Sequence, residues 1–200
     1  IFWLDKNGNH PLPFTVLTSD NIRKGDYKPS VPFYSAYVLD YLETLENTGK
    51  YDLCIWPPHC LIGTWGHNVF APLSEALANW ELHVPGRVVN YTFKGSNLKT
   101  EHYSAIRAEV SDAADPNSRT NFALIDKLKG ADNIAIAGEA LSHCVANTVR
   151  DLLTVISPEK LIVLTDVSSN VAGFESLGQT FLNEAAQVGV RLMTSVEFLA

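Results

Sequence analysis

At 200 residues and 22.0 kDa the chain is long enough for one domain, or one domain with an appendage. Hydrophobic residues make up 46% and charged residues 18%, a balance that supports a buried core and excludes a disordered tail. The net charge of −7 argues against nucleic acid or an anionic membrane as the main partner. Residues 1–33 are rich in turn formers. Asp5-Lys6-Asn7-Gly8-Asn9 predicts a polar turn, and His10-Pro11-Leu12-Pro13 an extended run, because each Pro biases its predecessor away from helix. Residues 15–18 predict a short strand, with Ser19-Asp20 capping a turn of helix. Over 34–45, Tyr34, Tyr37, Val38, Tyr41, Leu42 and Leu45 fall on one helical face, and Gly49 is the expected stop. Leu53-Cys54-Ile55-Trp56, ended by Pro57-Pro58, predicts a short buried strand. A second helix follows over 72–82, with Leu73, Leu77 and Trp80 on one side.

From residue 88 the pattern changes. A β-rich run over 88–93 ends at Lys94-Gly95, and a short helix is expected over 122–128. Strands are expected over 134–137, 161–164 and 190–193. Helices are expected over 142–155, with Val145, Val149, Leu152 and Leu153 inward, and over 174–188, with Phe174, Leu177, Phe181 and Val188 inward. Short apolar strands alternating with amphipathic helices predict an α/β fold: a parallel sheet covered by helices on both faces, with right-handed crossovers. Ligands in such sheets bind beyond the carboxyl ends of the strands. Lys94, the segment 139–144 and Asp166 are expected there.

Cys144 follows a strand, in Gly138-Glu139-Ala140-Leu141-Ser142-His143-Cys144, at the expected first turn of a helix. The helix dipole there favours a thiolate, and the N–H groups of that turn can hold an oxyanion. A buried structural cysteine is the other reading of the same position. Lys94, expected at the end of an inner strand, reads either as a paired, reactive amine or as a surface lysine snorkelling from a strand end. His59 follows a rigid Pro-Pro corner that aims its ring, as a metal ligand needs, although a packed turn histidine fits equally. His10, His67, His83 and His102 have no partner at helical spacing and read as surface or capping residues, and Asp166 reads as a loop cap. Neither a phosphate-binding glycine loop nor a Gly-x-Ser-x-Gly elbow occurs. Three cysteines, an odd number, exclude a fully paired disulfide framework and suit a reducing, cytoplasmic compartment. No run approaches the ~20 apolar residues of a membrane helix, and no secretory signal is read. The only Met is Met193, and a chain that opens on Ile1-Phe2-Trp3-Leu4 is expected to continue upstream.

These residues together resemble the nicotinamidase and pyrazinamidase branch of the isochorismatase-like cysteine hydrolases. Trp56-Pro-Pro-His59-Cys60-Leu-Ile-Gly63-Thr64-Trp-Gly66 is similar to the family's Trp-Pro-x-His-Cys-x-x-Gly-Thr-x-Gly. Phe93-Lys94-Gly95 with Tyr103-Ser104-Ala105 is similar to its Lys-Gly and Tyr-Ser-x-Phe block, with Ile106 where Phe is usual. Gly138-x-Ala140-x-x-x-Cys144-Val145 is similar to its nucleophile turn, and Asp166 with Gly173-Phe174-Glu175 to its late strand and helix start.

The resemblance implies a single hydrolase domain over 1–200, with 1–50 an N-proximal loop and helix region. It makes Cys144 the nucleophile and Lys94 its partner in an Asp–Lys–Cys triad. Ala140 and Cys144 would supply the oxyanion hole, beside a cis peptide between Glu139 and Ala140. Trp56, Tyr103 and His143 would bind substrate, and His59 would ligate a divalent metal, zinc or iron. The implied partner is a small amide, nicotinamide, hydrolysed to nicotinate and ammonia for NAD salvage. No nucleic acid or membrane is expected, and a homo-oligomer is expected by analogy.

The family's triad Asp, from an Asp-x-Gln-Asn-Asp-Phe-like stretch, has no counterpart in the chain, nor has its Asp-x-His metal pair. Asp5 and His10 sit in a loop-like context and take no such role. Glu139, Leu141 and Ser142 also depart from the family pattern. Two alternatives therefore stand beside nicotinamide hydrolysis: a related cysteine hydrolase for another small amide or an isochorismate-like substrate, and a non-catalytic relative.

Overall fold

The computed structural model describes residues 2–48 and 50–200, which fall into two units, one ending at Thr92 and one running from Phe93 to Ala200. The stop expected at Gly49 lies outside the described residues.

In the first unit, strand β1 (Trp3–Asp5) enters the predicted polar turn. The Asp5 carboxylate accepts from the N–H groups of Asn7 (2.9 Å) and Asn9 (2.8 Å), and Gly8 takes the positive φ of +86° that the turn requires. Strand β2 (Val16–Leu17) leads into helix α1 (Ser19–Arg23). Thr18 caps that helix: its hydroxyl accepts from Asn21 N–H, and the Asn21 side chain accepts from Thr18 N–H. Strand β3 (Tyr27–Pro29) then pairs antiparallel with β1.

Helix α2 (Ser35–Thr48) follows, burying Val38, Tyr41, Leu42 and Leu45 from the predicted stripe. Its Glu46 carboxylate takes the Ser19 N–H (2.6 Å) and hydroxyl (2.8 Å), fixing α1 against α2. Strand β4 (Leu53–Cys54) pairs antiparallel with β2. Helix α3 (Ala71–His83) buries none of its residues, and the expected Leu73 and Trp80 side chains are exposed.

The strand expected over 88–93 does not form. β propensity creates no strand without a neighbour to complete the ladder. Here the Val89 N–H goes to the Glu81 carboxylate (2.5 Å), and Val88, Tyr91 and Phe93 are exposed.

The second unit contains the parallel sheet. Helix α4 (Phe122–Lys129), capped by the Asn121 side chain on Leu124 N–H (3.0 Å), precedes strand β5 (Ile134–Glu139). A π-helical turn (Leu141–Val145) opens helix α5 (Ala146–Leu152). Strand β6 (Leu161–Ser169), helix α6 (Glu175–Gln187), strand β7 (Arg191–Met193) and helix α7 (Ser195–Leu199) complete the unit. The sheet order is β5-β6-β7, all parallel, as the element order predicts. Its register is irregular between Ile136 and Gly138, where Gly138 adopts φ +132° and gives its N–H to the Ser168 hydroxyl (3.1 Å).

Leu161 and Val163 face a core shared with Ile106, Ile125, Val145, Val149, Leu152 and Phe181, while Ile162 is buried in alternation with them. The helix expected as one piece over 142–155 is thus a π turn followed by two α turns. Val188, expected inward, is exposed because it sits at the cap after the last turn of α6. Gly178 and Ala185 take the inward face instead. A Cβ at Gly178 would lie 1.9 Å from the Asn170 side-chain oxygen, so the Asn170 amide occupies the place a side chain there would take.

Candidate active site

Cys144 is presented by the turn that joins β5 to α5. The Glu139–Ala140 peptide is cis. The Ala140 carbonyl then accepts from both His143 N–H (3.0 Å) and Val145 N–H (3.1 Å), which winds the π turn around the cysteine. Cys144 therefore lies within that π turn, ahead of the regular helix, and is partly buried. The N–H groups of Ala140 and Cys144, expected to hold an oxyanion, belong to this one turn.

Lys94 is not at a strand end, since 88–93 is irregular. It is aimed instead by two acceptors. Its ammonium donates to the His102 carbonyl (2.9 Å) and lies 3.5 Å from the Cys144 sulfur. Gly95, at φ +76°, lets the chain turn away directly behind it. A cation beside a thiol stabilises the anionic sulfur, the form that attacks carbonyl carbon.

The segment after His102 closes the other side. Tyr103 and His143 are both buried, with ring centroids 5.5 Å apart, and the Phe174 ring lies 5.1 Å from His143 on an edge-on approach. Ser142 Oγ is 2.9 Å from His143 Nδ1 and accepts from Val171 N–H at 3.1 Å. Burial pushes the His143 pKa below the ordinary histidine value, which favours a neutral ring. The Thr148 hydroxyl donates to the Cys144 carbonyl (2.7 Å) and accepts from Ala105 N–H (3.0 Å), tying the Tyr103 segment to the nucleophile turn.

Glu101 belongs to the same neighbourhood. Burial pushes its pKa up to about 7; a hydrogen bond from Tyr103 opposes the rise, the Glu109 charge adds to it and the Lys94 charge opposes it. Burial, and then the Lys94 charge, hold the His102 pKa below the histidine norm. Sequence reasoning missed Glu101 and Thr148. Thr148 acts through Ala105, 43 residues away, and Glu101 through the environment that Tyr103, Lys94 and Glu109 make around it; neither sits in a motif.

The structure brings Lys94, Tyr103, Ala140, His143 and Cys144 into the second unit around one turn. Trp56 and His59 belong to the first. Trp56 is half-buried and packs edge-on against Phe14, with centroids 5.9 Å apart. His59 is exposed, and its Nδ1–H donates to the Pro57 carbonyl (2.6 Å), which leaves Nε2 without a role in that bond. Among the described residues, however, no group of three or more His, Cys, Asp or Glu is placed to hold a metal ion. Asp166 caps α7: its carboxylate takes both the N–H and the hydroxyl of Ser195 at 2.7 Å. His10 and His83 give Nδ1–H to the carbonyls of Trp3 (2.9 Å) and Asn79 (2.7 Å), the capping roles expected of them.

No protein-family model matches the chain, and no curated protein matches it. Solved structures do. The yeast nicotinamidase Pnc1p superposes with a TM-score of 0.59 at 17% identity, over 95% of this chain and 72% of that one. The same yeast enzyme bound to the inhibitor nicotinaldehyde gives 0.60 at 16% identity, over 96% and 73%. The Acinetobacter baumanii nicotinamidase and pyrazinamidase gives 0.60 at 20% identity, over 98% and 72%.

The chain has the nicotinamidase fold.

In the nicotinamidase fold of this chain, the parallel strands β5 to β7 support the Cys144 turn at the carboxyl end of β5. No described helix is long and apolar enough to cross a membrane.

Proposed function

We propose that the chain is a cysteine amidohydrolase of the nicotinamidase type, converting nicotinamide to nicotinate and ammonia for NAD salvage in the cytoplasm. The observation that carries this reading is the Lys94 ammonium 3.5 Å from the Cys144 sulfur, at a turn entered through the Glu139–Ala140 cis peptide. The nicotinamidase fold supports it.

The reaction follows from those groups. The Cys144 sulfur attacks the amide carbonyl carbon, forming the C–S bond while the carbonyl electron pair moves to oxygen. The N–H groups of Ala140 and Cys144 receive that oxyanion. Collapse breaks the C–N bond, and the proton first carried by the thiol leaves with ammonia. Water then attacks the thioester, releasing nicotinate and restoring the thiol. Lys94 stabilises the sulfur anion before attack and again when the thioester breaks. Tyr103 and neutral His143 offer aromatic faces to the pyridine ring. The resemblance further assigns ring stacking to Trp56 and metal ligation to His59; the steps above use neither.

The test is ammonia release from nicotinamide by the chain and by Cys144→Ala, with intact-mass detection of a nicotinoyl adduct on Cys144 after rapid quenching. Turnover and an adduct in the parent, both lost in the variant, are expected. A folded parent that releases no ammonia from nicotinamide would redirect the reading to another small amide. Turnover by Cys144→Ala would remove the thioester from the mechanism.

A further inference from the structure

Ser142 precedes His143 in the π turn and is fully buried. Its hydroxyl meets one neighbour in sequence and one residue from the loop after β6. Oγ lies 2.9 Å from His143 Nδ1 and accepts the Val171 N–H at 3.1 Å. Val171 in turn opens a tight turn, its carbonyl accepting from Phe174 N–H at 2.9 Å. The Phe174 ring comes back to His143, edge-on at 5.1 Å, while buried Tyr103 meets the same imidazole at 5.5 Å. One hydroxyl therefore holds the imidazole directly and, through the Val171–Phe174 turn, a ring that packs against it.

We propose that Ser142 is a positioning residue for His143, holding the imidazole in one tautomer and one orientation, and that it thereby sets how tightly the site takes an aromatic ring. It touches no substrate atom and acts through His143 and Phe174. The proposal rests on the reading of His143 as part of the substrate site. It deepens that reading by naming what keeps the imidazole in place.

The contact forces a choice on the ring. A neutral imidazole carries its proton on one nitrogen only, and a hydroxyl has one proton to give. Whichever group donates across the Oγ–Nδ1 contact, the partnership at Nδ1 decides where the ring proton sits. Burial favours that neutral ring over the imidazolium. Without the hydroxyl, Nδ1 loses this partner and the Val171 N–H loses this acceptor. The tautomer and the seat of Phe174 then loosen together.

The experiment is ¹⁵N NMR of the histidine rings, recorded well above the ordinary histidine pKa, with the His143 signals identified by their absence from His143→Gln. The parent ring is expected to show the two well-separated nitrogen signals of a single tautomer. In Ser142→Ala they are expected to draw together, as in a ring that exchanges between tautomers. KM for nicotinamide is expected to rise roughly 3–10-fold in Ser142→Ala, the worth of one hydrogen bond, with a smaller change in kcat. His143 signals in Ser142→Ala superimposable on the parent's would overturn the proposal, as would a fall in kcat with KM unmoved. If Ser142→Ala does not fold, the parent ring decides: a single tautomer supports the assignment, and a ring already averaged between tautomers overturns it. The NMR needs neither substrate nor turnover, so failure of nicotinamide hydrolysis and failure of this proposal are read separately.

Discussion

The Lys94 ammonium bridges the His102 carbonyl at 2.9 Å and the Cys144 sulfur at 3.5 Å, joining positions 50 residues apart in sequence. Two acceptors fix one flexible amine, so removing it takes away both the charge beside the sulfur and the tie to the 101–103 segment. Lys94→Ala should lower kcat/KM on nicotinamide by roughly 10²–10⁴-fold, the range for a positioned acid–base group, while the circular dichroism spectrum is retained. Lys94→Arg should not recover it, since a planar guanidinium cannot present a single compact charge in the same place. Parent-like kinetics in Lys94→Ala would end its assignment.

Thr148 makes a more local prediction. Its hydroxyl joins Ala105 N–H and the Cys144 carbonyl. Thr148→Val keeps the volume and leaves the Ala105 N–H without that acceptor, at a cost of about 1–3 kcal/mol in urea unfolding. Thr148→Ser should restore most of it. Equal midpoints for Val and Ser would mean that the hydroxyl contributes nothing.

The loop over 112–118 is held by charge. Asp112, buried, pairs with Lys99 and accepts from Asn97 Nδ2 (3.0 Å), and those hydrogen bonds hold its pKa at about 2. A depressed folded pKa gives stability that is present above the ordinary Asp value and lost as pH falls through about 2. Asp112→Asn should therefore lower Tm at pH 7, and the gap to the parent should close as pH is taken from 4 toward 2. A pH-independent gap would assign the loss to packing.

Glu101 has the opposite sign. Its folded pKa of about 7 exceeds its ordinary value of 4.5, so its neutral form is favoured on folding. That contribution is complete below pH 4.5 and is lost as pH rises through about 7. Glu101→Gln should melt with the parent at pH 4 and above it at pH 8. Coincident melting curves at pH 8 would show that the buried charge costs nothing.

Much of the second unit was legible because its strands and helices bury periodic apolar faces: Leu161, Ile162 and Val163 in β6, and Val145, Val149 and Leu152 around α5. The run 88–93 has the composition of a strand, but composition does not supply a ladder partner. The π turn at Leu141–Val145 was hidden for a related reason, since helical periodicity does not distinguish the winding set by the Ala140 carbonyl. Lys94 was placed on the wrong element yet in the neighbourhood of Cys144, because the motif-bearing segments converge there. Glu101 was invisible: an acidic residue in a polar stretch looks solvated until Tyr103, Glu109 and Lys94 are folded around it.

A missing side chain at position 178 decides what lies against α6. Because Gly178 ends at a hydrogen atom, the Asn170 amide sits flush on the helix, in the space that a Cβ would claim. A methyl group there is a doorstop: the Asn170 side chain has to turn away from the helix before the methyl can fit. The helix that begins just after Phe174, whose ring meets His143 edge-on, therefore takes its seat against the loop after β6 from an atom that is not there.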